Sequence, residues 1–221
     1  MLRSGNPALK DTTFLDLGTG RVVTGDTGAM TLNGTVNKTG LLLFLAVLTA
    51  AFSWNSIEIT DAGMSPNGTL FLWGGLIGGL VFAIATIFKP TWSPITAPMY
   101  ALLEGLFLGA ISAVYDHRFN GIVLQAVMLT FGTLGVLLLA YRSGMIKATE
   151  NFKLGVTAAT GGVALVYLAT LGLGLFGIQV PYIHESGLIG IGFSLVVVVI
   201  AALNLVLDFD FIESGVARGS P

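Results

Sequence analysis

Three side chains that could bind a proton or a cation lie inside long apolar stretches of this chain. Glu104 sits in the middle of the apolar run from Ile95 to Tyr115, and Asn204 and Asp208 lie near the end of the last apolar run. A carboxylate at membrane depth is costly and is usually retained for a function. We therefore expect these three side chains to carry the function of the chain.

Composition indicates that lipid, and not water, surrounds most of the chain. Of its 221 residues 54% are hydrophobic and 10% are charged, with a mean hydropathy of +0.86, whereas a soluble domain carries about 25% charged residues. The net charge of -2 gives no indication of a nucleic-acid partner. Because the sequence contains no cysteine, it has neither disulfides nor thiolate metal sites.

Six apolar segments are long enough to cross a bilayer as helices, which takes about 17 to 25 residues each. They are residues 39–55, 69–88, 95–115, 121–141, 154–178 and 187–209. A lipid-exposed strand could not satisfy its backbone hydrogen bonds, so these segments are interpreted as helices. The sequence predicts an all-α, polytopic membrane bundle over residues 38–213, with a polar cytoplasmic tail at 1–37 and a polar C-terminal segment at 214–221.

Basic residues predict how the bundle is oriented. Nine Lys and Arg residues fall on one side of the predicted membrane, and only Arg118 falls on the other. Connectors rich in Lys and Arg remain in the cytoplasm. Both ends of the chain, as it stands, are therefore predicted to be cytoplasmic.

Small residues and hydroxyl groups predict how the helices pack. Glycines four residues apart allow close approach of two helix backbones; such pairs are Gly74/Gly78, Gly75/Gly79 and Gly105/Gly109. Hydroxyl groups of the fifth span are expected to hydrogen-bond between helices; they belong to Thr157, Thr160, Tyr167 and Thr170.

The buried polar groups allow a functional and a structural interpretation. Glu104 falls near mid-bilayer, and Asp208 falls near the cytoplasmic end of the last span with Asn204 one turn deeper on the same face. Functionally, they would line one polar cavity that binds a proton or a hard cation such as Ca²⁺. Structurally, Glu104 would be a neutral hydrogen-bonded acid and Asp208 an interfacial one. Asp210 is a further candidate for the pH sensor or ion pathway, although it is expected to point elsewhere, at the membrane interface.

Signatures of an enzyme are not found in the sequence. It contains no HExxH, GxSxG or P-loop motif. We therefore expect no enzymatic activity and no cofactor, with Ca²⁺ considered only as a transported ion. No metal site and no protein partner is assigned.

Three stretches of the chain resemble the bacterial branch of the Bax inhibitor-1 family, also called the transmembrane Bax-inhibitor-motif family. They are MTLNGTVNKTGLLL (Met30 to Leu43), APMYALLEGLFLGAISAVYD (Ala97 to Asp116) and ALNLVLDFDFIE (Ala202 to Glu213). The resemblance implies a helical bundle, in a bacterial inner membrane, that leaks Ca²⁺ in a pH-sensitive way.

The same resemblance implies a sensor made of two aspartates on the last two helices of the family pattern. Asp208 matches the aspartate of the sixth helix, whereas the second belongs to a seventh helix that this sequence does not contain before Pro221. We interpret Glu213 to Pro221 as a connector leading to a further span. Lys89 lies near the position of an arginine that joins the sensor in some members, but that role is not transferred to it.

The leading hypothesis is a pH-sensitive cation leak in which Asp208 is the sensor and Asn204 and Glu104 line the path. One alternative is a membrane scaffold that modulates stress-response partners, in which the acids are purely structural. Another is a proton-coupled transporter of small solutes.

Overall fold

Six long helices make up most of the computed structural model, which describes residues 29–60, 63–177 and 187–220. They are α1 (Leu32–Asn55), α2 (Pro66–Phe88), α3 (Ser93–Arg118), α4 (Ile122–Arg142), α5 (Glu150–Leu175) and α6 (Leu188–Ala217). A hairpin of two-residue strands, β1 (Ile59–Thr60) and β2 (Gly63–Met64), connects α1 to α2. All six helices are long and apolar enough to cross a membrane. The prediction of an all-α protein with six spans is confirmed.

Capping residues start two of the helices earlier than hydropathy alone predicts. Thr31 Oγ1 accepts a hydrogen bond from the Gly34 amide at 3.0 Å, so α1 begins at Leu32, inside the predicted polar tail. Thr149 Oγ1 accepts one from the Phe152 amide at 3.3 Å, so α5 begins at Glu150 and not at 154. The rest of the predicted tail, residues 1–28, lies outside the described residues.

The last helix is longer than predicted at its C-terminal end. Apolarity ends the predicted span at residue 209, but α6 continues to Ala217, into the predicted C-terminal segment. Gly219, with φ of 63°, follows the helix in the left-handed region that glycine adopts without strain. Asp208 and Asp210 therefore lie inside a regular helix and not at its last turn.

The chain divides into two compact units, and each is described by itself. One unit contains α1, α2 and α3. The other spans residues 131–214, which hold the second half of α4, all of α5 and α6 up to Ser214. Glu104 belongs to the first unit, and Asn204, Asp208 and Asp210 belong to the second.

In the first unit α3 packs against both α1 and α2. Its glycines leave no room for a side chain, because a Cβ at Gly105 or Gly109 would overlap the carbonyl oxygens of Ala46 and Ala50 in α1. The fully buried Ser53 of α1 donates a hydrogen bond to the Leu106 carbonyl of α3 at 2.9 Å. The two backbones are thus in direct contact.

The contact between α2 and α3 follows the same principle. A Cβ at Gly75 would stand 2.7 Å from the Leu103 carbonyl oxygen of α3. Near the connector, the hydroxyl groups of Thr86 and Thr96 are 2.7 Å apart. Close backbone approach is therefore combined with an interhelical hydrogen bond, as expected for helices in lipid.

One predicted packing glycine does not take part in these contacts. A Cβ at Gly78 would stand 3.1 Å from Leu103 Cδ1 of α3, but around Gly74 the nearest described atom is Leu70 Cδ1 of its own helix, at 3.9 Å. Gly74 therefore does not contribute to the α2–α3 contact, and the packing role predicted for it stays a prediction. The four-residue spacing identifies both Gly74 and Gly78, but only Gly78 faces α3.

Replacement of Gly105 by Ala should separate α1 from α3, because the new methyl group overlaps the backbone of α1. We expect Gly105→Ala to lower the free energy of unfolding by about 1–3 kcal/mol, the usual cost of overpacking. Thermal unfolding in detergent measures this change. Gly74→Ala is the matched control and should leave the Tm unchanged or raise it, since alanine favours a helix by up to about 1 kcal/mol over glycine. Equal Tm values for both variants would contradict the packing described.

Candidate functional site

Asn204 joins α6 to α5 through the NH₂ group of its side-chain amide. Its Nδ2 donates one hydrogen bond to Thr160 Oγ1 at 2.8 Å and another to the Ile200 carbonyl at 2.9 Å. Thr160 in turn donates to the Val156 carbonyl of its own helix at 2.9 Å. Both hydrogens of the amide are therefore engaged in hydrogen bonds, and the side chain of Asn204 has a defined position between the two helices.

A second contact between α5 and α6 is an ion pair. Lys153 Nζ lies 2.7 Å from Asp210 Oδ2, and the two side chains are only 9% and 22% exposed. Glu150 also approaches Lys153, at 3.5 Å, but its side chain is 74% exposed. The sequence assigned Asp210 no partner; the structure directs it towards α5, because the cap at Thr149 brings Lys153 inside that helix.

These two contacts define the antiparallel register of α5 and α6. Lys153 is opposite Asp210 and Thr160 is opposite Asn204. Thr157 on α5 and the half-buried Asp208 on α6 occupy the segment between them. The Thr157 hydroxyl is buried and has no hydrogen-bond partner within the described part of the chain. Polar side chains thus recur along α5 from Lys153 through Thr157 to Thr160.

The neighbouring helix α4 contacts α6 at the same end. The Tyr141 hydroxyl donates a hydrogen bond to Glu213 Oε2 at 2.6 Å. The Tyr141 ring also packs against Phe209, with 5.8 Å between the ring centroids. Phe209, which follows Asp208, is therefore in contact with α4, and Asp210 is in contact with α5.

Glu104 lies in a different environment, in the first unit. It is half-buried in the middle of α3, and a Cβ at Gly79 of α2 would stand 3.3 Å from its Oε2. The helix α2 carries no ionisable side chain, and α1 carries only Lys38, near its beginning. Neither helix therefore offers Glu104 a neighbouring counter-charge. The predicted cavity shared by Glu104, Asn204 and Asp208 remains a prediction, since the acids belong to different units.

Other polar residues singled out in the sequence make contacts outside the two just described. Thr170 donates to the Val166 carbonyl of its own helix at 2.8 Å, and the Tyr167 ring lies 6.1 Å from Phe193 of α6. Lys89 Nζ lies over the Trp92 ring, 4.4 Å from its centroid. Among the described residues, no group of three or more His, Cys, Asp or Glu residues could hold a metal ion.

Sequence reasoning missed Lys153 and Tyr141. Both fall at the ends of predicted spans, where a charged or aromatic residue is ordinary, and neither position shows its partner in the sequence. Thr149 was the usable signal, because a threonine before Glu150 indicates a helix start and places Lys153 within the first turns of α5.

The comparison with protein families bears on nearly the whole chain. A family model described as Bax inhibitor 1 like matches residues 6–221. No curated protein and no solved structure matches. The match covers all six apolar helices, and with them Glu104 and the contacts between α5 and α6. The chain therefore belongs to the Bax inhibitor 1-like family of integral membrane proteins.

Proposed function

We propose that this integral membrane protein is a pH-sensitive leak pathway for cations and that Ca²⁺ is the ion that passes. The proposal is carried by Asp208, a half-buried carboxyl group within the last apolar helix. It lies one turn from Asn204, whose amide is directed by contacts with two helices. Membership in the Bax inhibitor 1-like family supports the same proposal.

The chemistry of a carboxyl group suits both parts of this function. An ionised carboxylate supplies the oxygen ligands that Ca²⁺ prefers, and a protonated one does not. A proton bound at Asp208 changes the charge at the α5–α6 contact and shifts the populations of the closed and open arrangements. In this proposal Ca²⁺ is the transported ion and no enzymatic step is involved.

Glu104 supplies a second carboxyl group in the proposed pathway. Because α1 and α2 place no counter-charge beside it, its carboxyl group is available to a proton or to a passing cation. Gly79 of α2 lies beside this carboxyl group, where a Cβ would stand only 3.3 Å from Glu104 Oε2. In this proposal Glu104 affects the rate of ion passage, whereas Asp208 confers the response to pH.

The proposed location is a bacterial inner membrane with the N-terminus in the cytoplasm. The excess of Lys and Arg on one side supports this orientation. The connector after α4, which includes Ser143, is then cytoplasmic, and the connector after α3, which includes Asn120, faces outward.

Replacement of Asp208 by Asn should abolish the pH dependence of the leak, because the amide has the shape of the carboxyl group but does not titrate. Ca²⁺ efflux from liposomes, followed with an indicator dye at mildly acidic and mildly alkaline pH, measures the effect. Glu58→Gln is the control: Glu58 is exposed in the α1–α2 connector, and its loss should change neither rate nor pH dependence. An Asp208→Asn protein that retains the wild-type pH profile would refute the role of Asp208.

Replacement of Glu104 by Gln should lower the Ca²⁺ leak rate about tenfold and leave its pH profile in place, because it removes a charge from the path but leaves Asp208 intact. The same liposome assay measures both quantities. Loss of thermal stability with an unchanged leak would favour the structural interpretation of Glu104, as in a membrane scaffold. Proton uptake that depends on an added solute would favour a transporter.

The orientation can be tested with single cysteines, since the chain contains none of its own. In intact cells a membrane-impermeant maleimide should label Asn120→Cys and should label Ser143→Cys only after the cells are opened. Both positions are exposed in connectors. The reverse labelling pattern would contradict the proposed orientation.

A further inference from the structure

The two residues that follow Asp208 in α6 contact two different helices. Phe209 packs against Tyr141 of α4, with 5.8 Å between ring centroids, and Asp210 pairs with Lys153 of α5 at 2.7 Å. One turn beyond Phe209, Glu213 accepts the hydrogen bond from Tyr141 at 2.6 Å. We name the five contacting residues the anchor cluster; they are Tyr141, Lys153, Phe209, Asp210 and Glu213.

The anchor cluster opposes rotation of α6 about its own axis. Successive residues of an α-helix point in directions about 100° apart. Contacts of Phe209 with one helix and of Asp210 with another therefore hold α6 from two sides. Because Asp208 is covalently joined to Phe209 in the same regular helix, the direction of its side chain depends on these contacts.

The ion pair between Lys153 and Asp210 is the stronger of the two contacts of Lys153. Its side chains are 9% and 22% exposed, whereas Glu150, the other acid near Lys153, is 74% exposed and lies at 3.5 Å. Exposed ion pairs contribute little, but removal of one partner of a buried pair leaves an uncompensated charge. The position of α6 therefore depends on Asp210 and much less on Glu150.

We propose that Lys153 and Tyr141 are positioning residues for Asp208. They hold α6 in the rotation at which Asp208 controls the leak, and neither of them binds the ion. This inference rests on the proposed function of Asp208. The titratable or charged side chains of α4, α5 and α6 at this end are Tyr141, Arg142, Glu150, Lys153, Asp208, Asp210 and Glu213.

A readout of side-chain orientation tests the inference without any ion flux. In Asp208→Cys, the only thiol of the chain reports how accessible position 208 is to a small alkylating reagent in detergent. Adding Lys153→Met or Tyr141→Phe should change the alkylation rate about fivefold or more, the scale of a typical coupling between sites. Adding Glu150→Gln, the matched control, should leave the rate unchanged. Equal rates in all backgrounds would overturn the proposal, whether or not the wild-type protein leaks Ca²⁺.

Exchange of the charges separates positioning from simple stability. Lys153→Asp and Asp210→Lys should each change the Ca²⁺ leak rate at fixed pH about fivefold or more, and the double variant should return it to within about twofold of wild type. Ser53→Ala, in the first unit, provides a destabilised protein with an intact cluster, and its Ca²⁺ leak rate at the same pH should stay within about twofold of wild type. Single variants that lower the Tm but leave the leak unaltered would overturn the proposal, as would a double variant with wild-type Tm and no recovery of the leak. Absence of any wild-type leak would instead refute the proposed function.

Discussion

The scarcity of water inside a bilayer is the constraint on which the rest of this structure depends. A polar side chain within a span is costly unless it finds a partner in the protein, because lipid offers none. Asn204 does so by donating to Thr160 and to its own backbone, and Asp210 does so by pairing with Lys153. Polar groups in the spans therefore also determine which helix faces meet.

Glycine allows the apolar helices to pack closely against each other. Lipid tails are as apolar as leucine, so helices gain little from burying leucine against each other and gain more from close backbone contact. In the first unit, Gly105 and Gly109 allow α3 to touch α1, and Gly75 allows it to touch α2. Glu104 lies in this tightly packed region beside Gly79, where a Cβ would stand only 3.3 Å from its Oε2.

The sequence predicted the elements of this fold better than their ends and their contacts. Hydropathy identified all six spans, because the length of an apolar run reflects the thickness of the bilayer. It missed the early starts of α1 and α5, which depend on single hydrogen bonds that the hydroxyl oxygens of Thr31 and Thr149 accept from the Gly34 and Phe152 amides. It also could not identify Lys153 as the partner of Asp210, since residues 57 positions apart are brought together only by the register of two helices.

The central claim is that protons control the passage of cations through this protein. The most direct measurement is Ca²⁺ efflux from liposomes that contain the purified wild-type chain, recorded over a range of pH against protein-free liposomes. The account predicts a protein-dependent efflux whose rate changes with pH along a titration curve. Efflux equal to that of protein-free liposomes at every pH, or a protein-dependent efflux that is the same at every pH, would contradict it.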